Sequence, residues 1–339
     1  MEPKMTRQEE NTSTFDDEDA TESYLEAGGG LRSWLFATDH KRIALLYLCA
    51  VTVFFILGTL FASLMRIELS SSDPILLSDD LFNRLFTLHG LFMIFLVLMP
   101  AIPAVLGNFL VPLKIGARNF AFPRLNLLGF YLFLLGGTCL VMVALRGGID
   151  STWTLFPAFT AATVTGNVVL TVCGVLLTSC ALLLMGINTL VTIHKMRAPG
   201  LYWFRLPIFV WSQYAAAVIM VLATPVLAGV LFVLGLDKLL GAGVFDAAAG
   251  GDLILFKRLF WFWARPALYI MVLPAIGIVT EILSSHSRRR PVGYRFIVGS
   301  LFSIVFLSFL TAGGHLIVSS QSVFASLVAS LAGYLVAVP

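Results

Sequence analysis

Charge is scarce in this sequence, and the shortage excludes a class of protein. Asp, Glu, Lys and Arg make up 12% of the 339 residues, against about 25% in a soluble domain. Apolar residues make up 58%, and the mean hydropathy is +0.92. A soluble globular domain is therefore excluded, and the composition predicts an integral membrane protein in contact with lipid.

Cysteines and the common catalytic signatures are also scarce or missing. The four cysteines all fall within apolar segments and form no CxxC pair, so we expect buried, inert thiols rather than disulfides or a thiolate metal site. There is no phosphate-binding loop, no Ser-His-Asp order and no HExxH motif. The basic residues lie in short loops between apolar segments, which fits membrane topology and gives no reason to expect a nucleic-acid partner.

The start of the chain differs in composition from the rest. Residues 1–33 hold nine acidic and three basic residues, which predicts a disordered acidic N-terminal tail. No apolar segment of the signal-peptide type follows its charges, so a cleaved signal peptide is not expected. Residues 34–339 are predicted to form one transmembrane helical domain.

The apolar residues after the tail gather into eight segments. A membrane-spanning helix needs about 20 mainly apolar residues, and the runs are continuous, without the period-two alternation of a β-barrel strand. The sequence therefore predicts an all-α polytopic membrane protein with about eight transmembrane helices. The segments are Ile43–Met65, Leu85–Leu113, Leu125–Leu145, Asn167–Ile193, Leu206–Leu236, Leu253–Leu283, Phe296–Ser319 and Ser322–Val338. The short loops on one side hold twelve Lys and Arg residues and those on the other side six, which predicts a cytoplasmic N-terminus.

Polar residues inside the apolar segments are the candidates for chemistry. His89 and His315 lie in different segments, and neither has a second His, Cys or carboxylate at helical spacing, so local spacing alone assembles no metal site. Arg265 lies within Leu253–Leu283, where a charge costs roughly 3 kcal/mol on insertion scales. Its guanidinium has no lone pair to offer a metal. Tyr269 follows one helical turn later on the same face, and the aromatic run at 260–263 predicts packing or lipid-facing rings.

Many motifs along the chain carry a resemblance to one family. They include Thr87-Leu-His-Gly90, Val111-Pro-Leu-Lys-Ile-Gly-Ala117, Ala121-Phe-Pro-Arg-Leu-Asn126, Trp153-Thr-Leu-Phe-Pro157 and Arg205-Leu-Pro-Ile-Phe-Val-Trp-Ser212. From Trp34 onward the sequence resembles subunit I of the haem-copper oxidases. The resemblance implies the first two-thirds of that helical bundle, a respiratory role and a bacterial plasma membrane location.

The resemblance implies roles for four residues. His89 matches an axial histidine of the low-spin haem, and Arg66 matches the arginine near a substituent of that haem. His315 matches one of two adjacent copper-binding histidines. Tyr269 matches the tyrosine that the family cross-links to a copper-ligating histidine and uses in cleaving dioxygen.

The sequence departs from the family pattern at the copper site and on the proton path. The family's H-P-E-V-Y appears as Arg265-Pro-Ala-Leu-Tyr269, so arginine replaces a copper histidine and Ala267 replaces a proton-carrying glutamate. Gly314 stands where the family has the first histidine of its pair, and Asn119 replaces an aspartate. We therefore expect the copper site to be lost, with Arg265 placing its charge where the ion would sit. Haem binding through His89 stays open.

The chain ends within what resembles the eighth of twelve helices, before the family's remaining haem ligands. Three interpretations follow. The chain is a non-catalytic paralogue that packs with other terminal oxidase subunits, the N-terminal portion of a split or truncated oxidase, or a single-haem electron carrier completed by a partner chain. The scattered substitutions favour the first, because truncation alone would leave those sites intact, whereas the early end favours the second. Electron donor, haem type and the identity of partner subunits stay open.

Overall fold

The computed structural model describes residues 30–71, 73, 75–160, 165–246, 249–289, 291–317, 319 and 321–339, and it is helical. The predicted all-α polytopic fold is confirmed. The α-helices are α1 Leu31–Leu35, α2 His40–Glu68, α3 Asp79–Leu91, α4 Asn108–Ile115, α5 Pro123–Leu145, α6 Pro157–Thr160, α7 Thr165–Lys195, α8 Ile208–Leu240, α9 Leu253–Ser287, α10 Tyr294–Leu310 and α11 Val323–Leu335. Two π-helical segments, Phe92–Leu98 and Ala101–Gly107, join α3 to α4. The 3₁₀ segment Thr311–Leu316 extends α10.

Seven spans in the described part of the chain are long and apolar enough to cross a membrane. They are α2, the continuous unit Asp79–Ile115, α5, α7, α8, α9 and the unit Tyr294–Leu316. The eighth predicted segment, Ser322–Val338, forms α11 with only 13 residues, short of the roughly 20 that cross a bilayer. The sequence prediction of about eight spans becomes seven full-length spans and one short apolar helix.

Helix starts depend on capping side chains more than on the apolar pattern. Helix α2 begins at His40, three residues before the predicted Ile43, because the Asp39 carboxylate accepts hydrogen bonds from the backbone N–H groups of Lys41 and Arg42 at 2.8 and 3.1 Å. Asp252 caps α9 in the same way. Such caps satisfy N–H groups that have no partner within the helix.

The predicted tail comprises residues 1–33, and residues 1–29 of it lie outside the described part of the chain. Helix α1 begins at Leu31, three residues before the predicted boundary at Trp34.

The prediction of buried cysteines is wrong in part. Cys49 and Cys173 are exposed on the outside of the bundle, and Cys139 and Cys180 are half-buried. An apolar segment predicts insertion into the membrane but not the direction in which each side chain points.

Glycines allow the central helices α5, α7, α8 and α9, which pack in chain order, to approach closely. A Cβ atom added to Gly136 on α5 would stand 2.6 Å from the carbonyl oxygen of Gly174 on α7. One added to Gly186 on α7 would stand 2.7 Å from the Cβ of Met220 on α8. Small residues at crossings are how helices pack in lipid, where the hydrophobic effect does not drive them together.

One acidic side chain joins three helices near an end of the bundle. Glu281 on α9 accepts a hydrogen bond from the backbone N–H of Phe209, at the start of α8, at 2.9 Å. Its second oxygen pairs with the ammonium of Lys114 on α4. These contacts hold α9 at a defined height against its neighbours.

The α5–α7 crossing gives a stability prediction. Gly136→Ala places a methyl group against the Gly174 carbonyl and forces the helices apart, so we expect a loss of about 1–3 kcal/mol in unfolding free energy. The matched control is Gly299→Ala on α10, where an added Cβ meets nothing within 4 Å. The control should be neutral or slightly stabilising. Unfolding of the purified protein in detergent measures both, and equal effects of the two variants would contradict the packing account.

Candidate functional site

The candidate residues for the copper site lie where α9 packs against the 3₁₀ segment Thr311–Leu316. They are Arg265, Gly314 and His315. A Cβ atom added to Gly314 would stand 4.0 Å from Nη2 of Arg265. The ring of His315 stacks on Trp261, one turn before Arg265, with ring centroids 3.5 Å apart and planes inclined by 9°. The structure therefore brings together the three positions that the resemblance assigned to copper.

Arg265 has no partner for its charge among the described residues. Its side chain is half-buried, its Nε is shielded from solvent without a hydrogen-bond acceptor, and neither ion pair of the described chain involves it. Tyr269 and His315 also show no hydrogen bond there; Tyr269 packs against the core, and His315 is exposed. The site is thus a partly open cluster of polar groups in an apolar setting.

The four aromatic side chains at positions 260–263 have different environments. Phe260 and Trp263 are buried and Phe262 is exposed, while Trp261 holds the ring of His315. The sequence pattern predicted packing or lipid-facing rings but did not identify Trp261 as a partner of His315.

The two proton-path substitutions lie in different surroundings. Ala267 is buried. The amide of Asn119 donates to the Thr38 carbonyl at 2.9 Å and its oxygen accepts from the backbone N–H of Phe120 at 2.8 Å. Asn119 therefore ties the loop before α5 to the start of α2.

A narrow interior cavity between α2, α7 and α9 carries no carboxylate. Its polar lining includes Tyr47, Thr178, Ser179 and Trp263. The indole N–H of Trp263 is buried and finds no acceptor within the described part of the chain, although its ring stacks on Phe95 with centroids 5.6 Å apart. The lining offers hydroxyls and an N–H group, but no side chain that releases a proton near neutral pH.

The haem-side candidate His89 is held in one orientation. Its Nδ1 lies 2.9 Å from the carbonyl oxygen of Gly58 on α2. Because a carbonyl only accepts, Nδ1 carries the proton and the lone pair is on Nε2, which is the form of a metal-ligating histidine. No local pattern indicates this bond, since 31 residues separate the partners.

The residues on either side of His89 in the sequence, Thr87 and Gly90, also make close contacts. Thr87 donates to the Ser151 carbonyl at 2.5 Å, and a Cβ added to Gly90 would stand 3.0 Å from Trp153. Arg66 is exposed, eight residues after Gly58 on α2, about 12 Å along the helix axis. His89 thus has the tautomer that a metal-ligating histidine needs, and the assignments of His89 and Arg66 to a haem stay predictions.

No cluster of ligands for a metal ion forms in the described chain. Among those residues there is no group of three or more His, Cys, Asp and Glu side chains that could hold an ion. Aromatic rings separate the two candidate histidines: Gly90 abuts Trp153, whose ring centroid lies 6.3 Å from that of Trp261, and Trp261 stacks on His315.

The comparisons with known proteins identify the family. The sequence model described as "Cytochrome C and Quinol oxidase polypeptide I" matches residues 42–339. Cytochrome c oxidase subunit 1 of Thermostichus vulcanus is 36% identical over 304 residues, which cover 90% of this chain and 55% of the relative. The Bacillus subtilis protein of the same name is 36% identical over 313 residues, 92% of this chain and 50% of the relative.

A third relative is similar to the same extent. The probable cytochrome c oxidase subunit 1-alpha of Streptomyces avermitilis is 38% identical over 296 residues, 86% of this chain and 51% of the relative. The chain belongs to the cytochrome c and quinol oxidase polypeptide I family, the haem-copper oxidases, which bind haem and act in respiration. It spans about half the length of the relatives it matches.

Proposed function

We propose that this chain is a non-catalytic, subunit I-like component of a respiratory terminal oxidase that does not hold copper. One observation carries the proposal: the Arg265 guanidinium lies beside Gly314, so that His315 is the one imidazole at this junction. Copper in proteins of this type is bound by imidazole nitrogens. Arginine offers no lone pair and keeps its positive charge, so it repels a metal cation as well as failing to bind it.

The replaced carboxylates support the same proposal. Alanine at position 267 and asparagine at 119 cannot take up or release a proton, and the interior cavity is lined by no carboxylate. General acid–base chemistry needs a group that titrates near the working pH. A chain that lacks both the copper-ligating imidazoles and these titratable carboxylates cannot reduce dioxygen by the family route. Tyr269 is vestigial in this proposal.

The copper argument is tested by restoring the missing imidazoles. We expect the purified wild-type chain to retain far less than one copper per chain, and the double variant Arg265→His/Gly314→His to retain about one, since three imidazoles then meet at the junction. Metal analysis after dialysis measures both. The control is Arg265→Ala, which removes the charge without adding a ligand and should stay copper-free. Stoichiometric copper in the wild type that disappears in His315→Ala would overturn the proposal.

A second candidate function, a single-haem electron carrier, is favoured by His89. The bond from Nδ1 to the Gly58 carbonyl leaves Nε2 ready to bind iron, and the close contacts of Thr87 and Gly90 hold the backbone on either side of the ring. A bound haem would supply one-electron transfer. The chain's own contribution is to orient the imidazole and fix its tautomer. A partner chain would supply the other axial ligand, and Arg66 is the candidate for a contact to the haem edge.

The haem assignment is tested with two matched histidines. In His286→Ala, the lost ring is exposed and its Nδ1 bonds the Ile282 carbonyl at 3.0 Å, so the reduced-minus-oxidised spectrum of the full chain should not change. In His89→Ala, the haem band should disappear, because the axial ligand is lost. A wild-type chain without a haem band, or a band that survives in His89→Ala, would rule out haem ligation by His89.

Location and orientation are part of the proposal. The chain would lie in the bacterial plasma membrane with other oxidase subunits, with its acidic tail, residues 1–33, in the cytoplasm before the transmembrane domain 34–339. The support is the twelve-to-six bias of Lys and Arg between the two sets of loops, since cytoplasmic loops carry the excess of basic residues.

Single cysteines in a cysteine-free background test the orientation. Ser70 follows α2 and Ser287 ends α9, and both are exposed. A membrane-impermeant maleimide should label Ser70→Cys in intact spheroplasts and Ser287→Cys only after permeabilisation. The opposite pattern would reverse the assigned topology.

A further inference from the structure

The narrow interior cavity that Trp263 lines is enclosed by five of the seven spans. Its walls come from α2, the unit Asp79–Ile115, α5, α7 and α9, and all twelve lining residues are buried. The centre of a water molecule can move within about 20 Å³ of it. One water needs about 10–15 Å³ by this measure, so there is room for one or two waters. We call this space the Trp263 cavity.

The indole N–H of Trp263 is the donor in this cavity that most needs a partner. Trp263 is 1% exposed, and its Nε1 has no acceptor among the described residues. The ring is not free to turn toward one, because it stacks on Phe95 with planes inclined by 5° and packs edge-on against Phe260 with centroids 5.8 Å apart. A buried donor without an acceptor is costly, and ordered water is a common partner for such groups.

Three hydroxyl groups line the same cavity. That of Tyr47 makes no hydrogen bond to the described residues, so its proton needs an acceptor. The hydroxyls of Thr178 and Ser179 both donate to the carbonyl oxygen of Val175, at 2.9 and 2.7 Å. Their protons are therefore committed, and their oxygens remain as acceptors. The lining thus offers two donors, on Trp263 and Tyr47, and two acceptors.

An interruption in the backbone hydrogen bonds adjoins the cavity. At the end of the π-helical segment Phe92–Leu98, the backbone N–H of Met99 bonds the carbonyl of Ile94, five residues back. The next residue, Pro100, has no N–H, so the Phe95 carbonyl lacks the donor that this pattern would supply. Phe95, Met99 and Pro100 all line the cavity. Ordered water is one of the groups that satisfy such interruptions in membrane helices.

The chemistry of the lining selects water over other small ligands. No charged side chain is among the lining residues, so an anion would have no counter-charge there. A cation would meet the positive end of the indole N–H. A nonpolar gas would leave the Trp263 and Tyr47 donors unsatisfied. Water is neutral, accepts two hydrogen bonds and donates two, which complements the groups present.

We propose that the Trp263 cavity holds one or two bound waters that join α9 to α2 and α7. The water accepts from the Trp263 N–H and the Tyr47 hydroxyl and donates to the oxygens of Thr178 and Ser179. Its role is structural, because no side chain of the lining releases a proton near neutral pH. The inference is independent of whether the chain binds copper or haem.

The direct test is a map of the full chain, purified in lipid, at a resolution that shows single waters. We expect a compact peak about 2.7–3.2 Å from Nε1 of Trp263, within reach of at least one of the three hydroxyls. The matched site is Trp211, whose N–H donates to the Tyr294 hydroxyl at 2.8 Å, and no peak is expected at its Nε1. An empty cavity, an elongated peak, or an indole turned to a protein acceptor would overturn the proposal.

A double-mutant cycle tests whether the water couples α9 to α7. Trp263→Phe removes the N–H but keeps a ring against Phe95, and Ser179→Ala removes an acceptor. Each should lower the free energy of unfolding of the purified chain in detergent. The double variant should lose clearly less than the sum of the two losses, because either change alone already releases the shared water.

The control for this cycle pairs Trp263→Phe with Ser308→Ala. Ser308 is buried and donates to the Val305 carbonyl at 2.7 Å, as Ser179 does to Val175, but it does not line the cavity. These two losses should add. Additive losses for Trp263→Phe and Ser179→Ala, or equal coupling in the control pair, would contradict a shared water.

Discussion

A charge that cannot be neutralised, held within the apolar part of a membrane helix, is the constraint on which the chemistry of this chain depends. Most ionisable side chains escape burial by changing protonation, but a guanidinium does not. At position 265 it therefore stays charged. In the proposed function it keeps a metal cation from the junction between α9 and the 3₁₀ segment, and among the described residues it has no ion-pair partner.

The bundle holds that side chain in place through contacts far from it. Glycine at the α5–α7 and α7–α8 crossings brings backbones close enough for dense packing, and Glu281 joins the ends of α4, α8 and α9. With its height and rotation defined, α9 cannot turn Arg265 away into a polar region. Lys and Arg near helix ends avoid this problem because their side chains reach the interface, but Arg265 is too far from either end of α9.

The surroundings of the two candidate ligands, His89 and His315, differ in the supporting contacts that are present. Around His89 the supporting contacts are present: the Gly58 carbonyl orients the ring, and Thr87 and Gly90 hold the adjacent backbone. Around His315 the stacking partner Trp261 is present, but the other imidazoles are not. Ligand-orienting contacts are useful only where a ligand remains. The contacts that orient a ligand are therefore retained around His89, whereas His315 is the one imidazole at its junction.

The sequence alone determined the class of fold and the positions of seven spans, because insertion into a bilayer depends on local hydropathy that is read directly along the chain. It also predicted which residues occupy the family positions. Helix starts were off by a few residues where a cap such as Asp39 extends the helix, and the last segment proved too short to span. Only the tertiary structure decided the tautomer of His89, the stacking of His315 on Trp261 and the lack of an ion-pair partner for Arg265 among the described residues. These depend on the rotation and spacing of helices that pack through residues distant in sequence, and no local pattern encodes them.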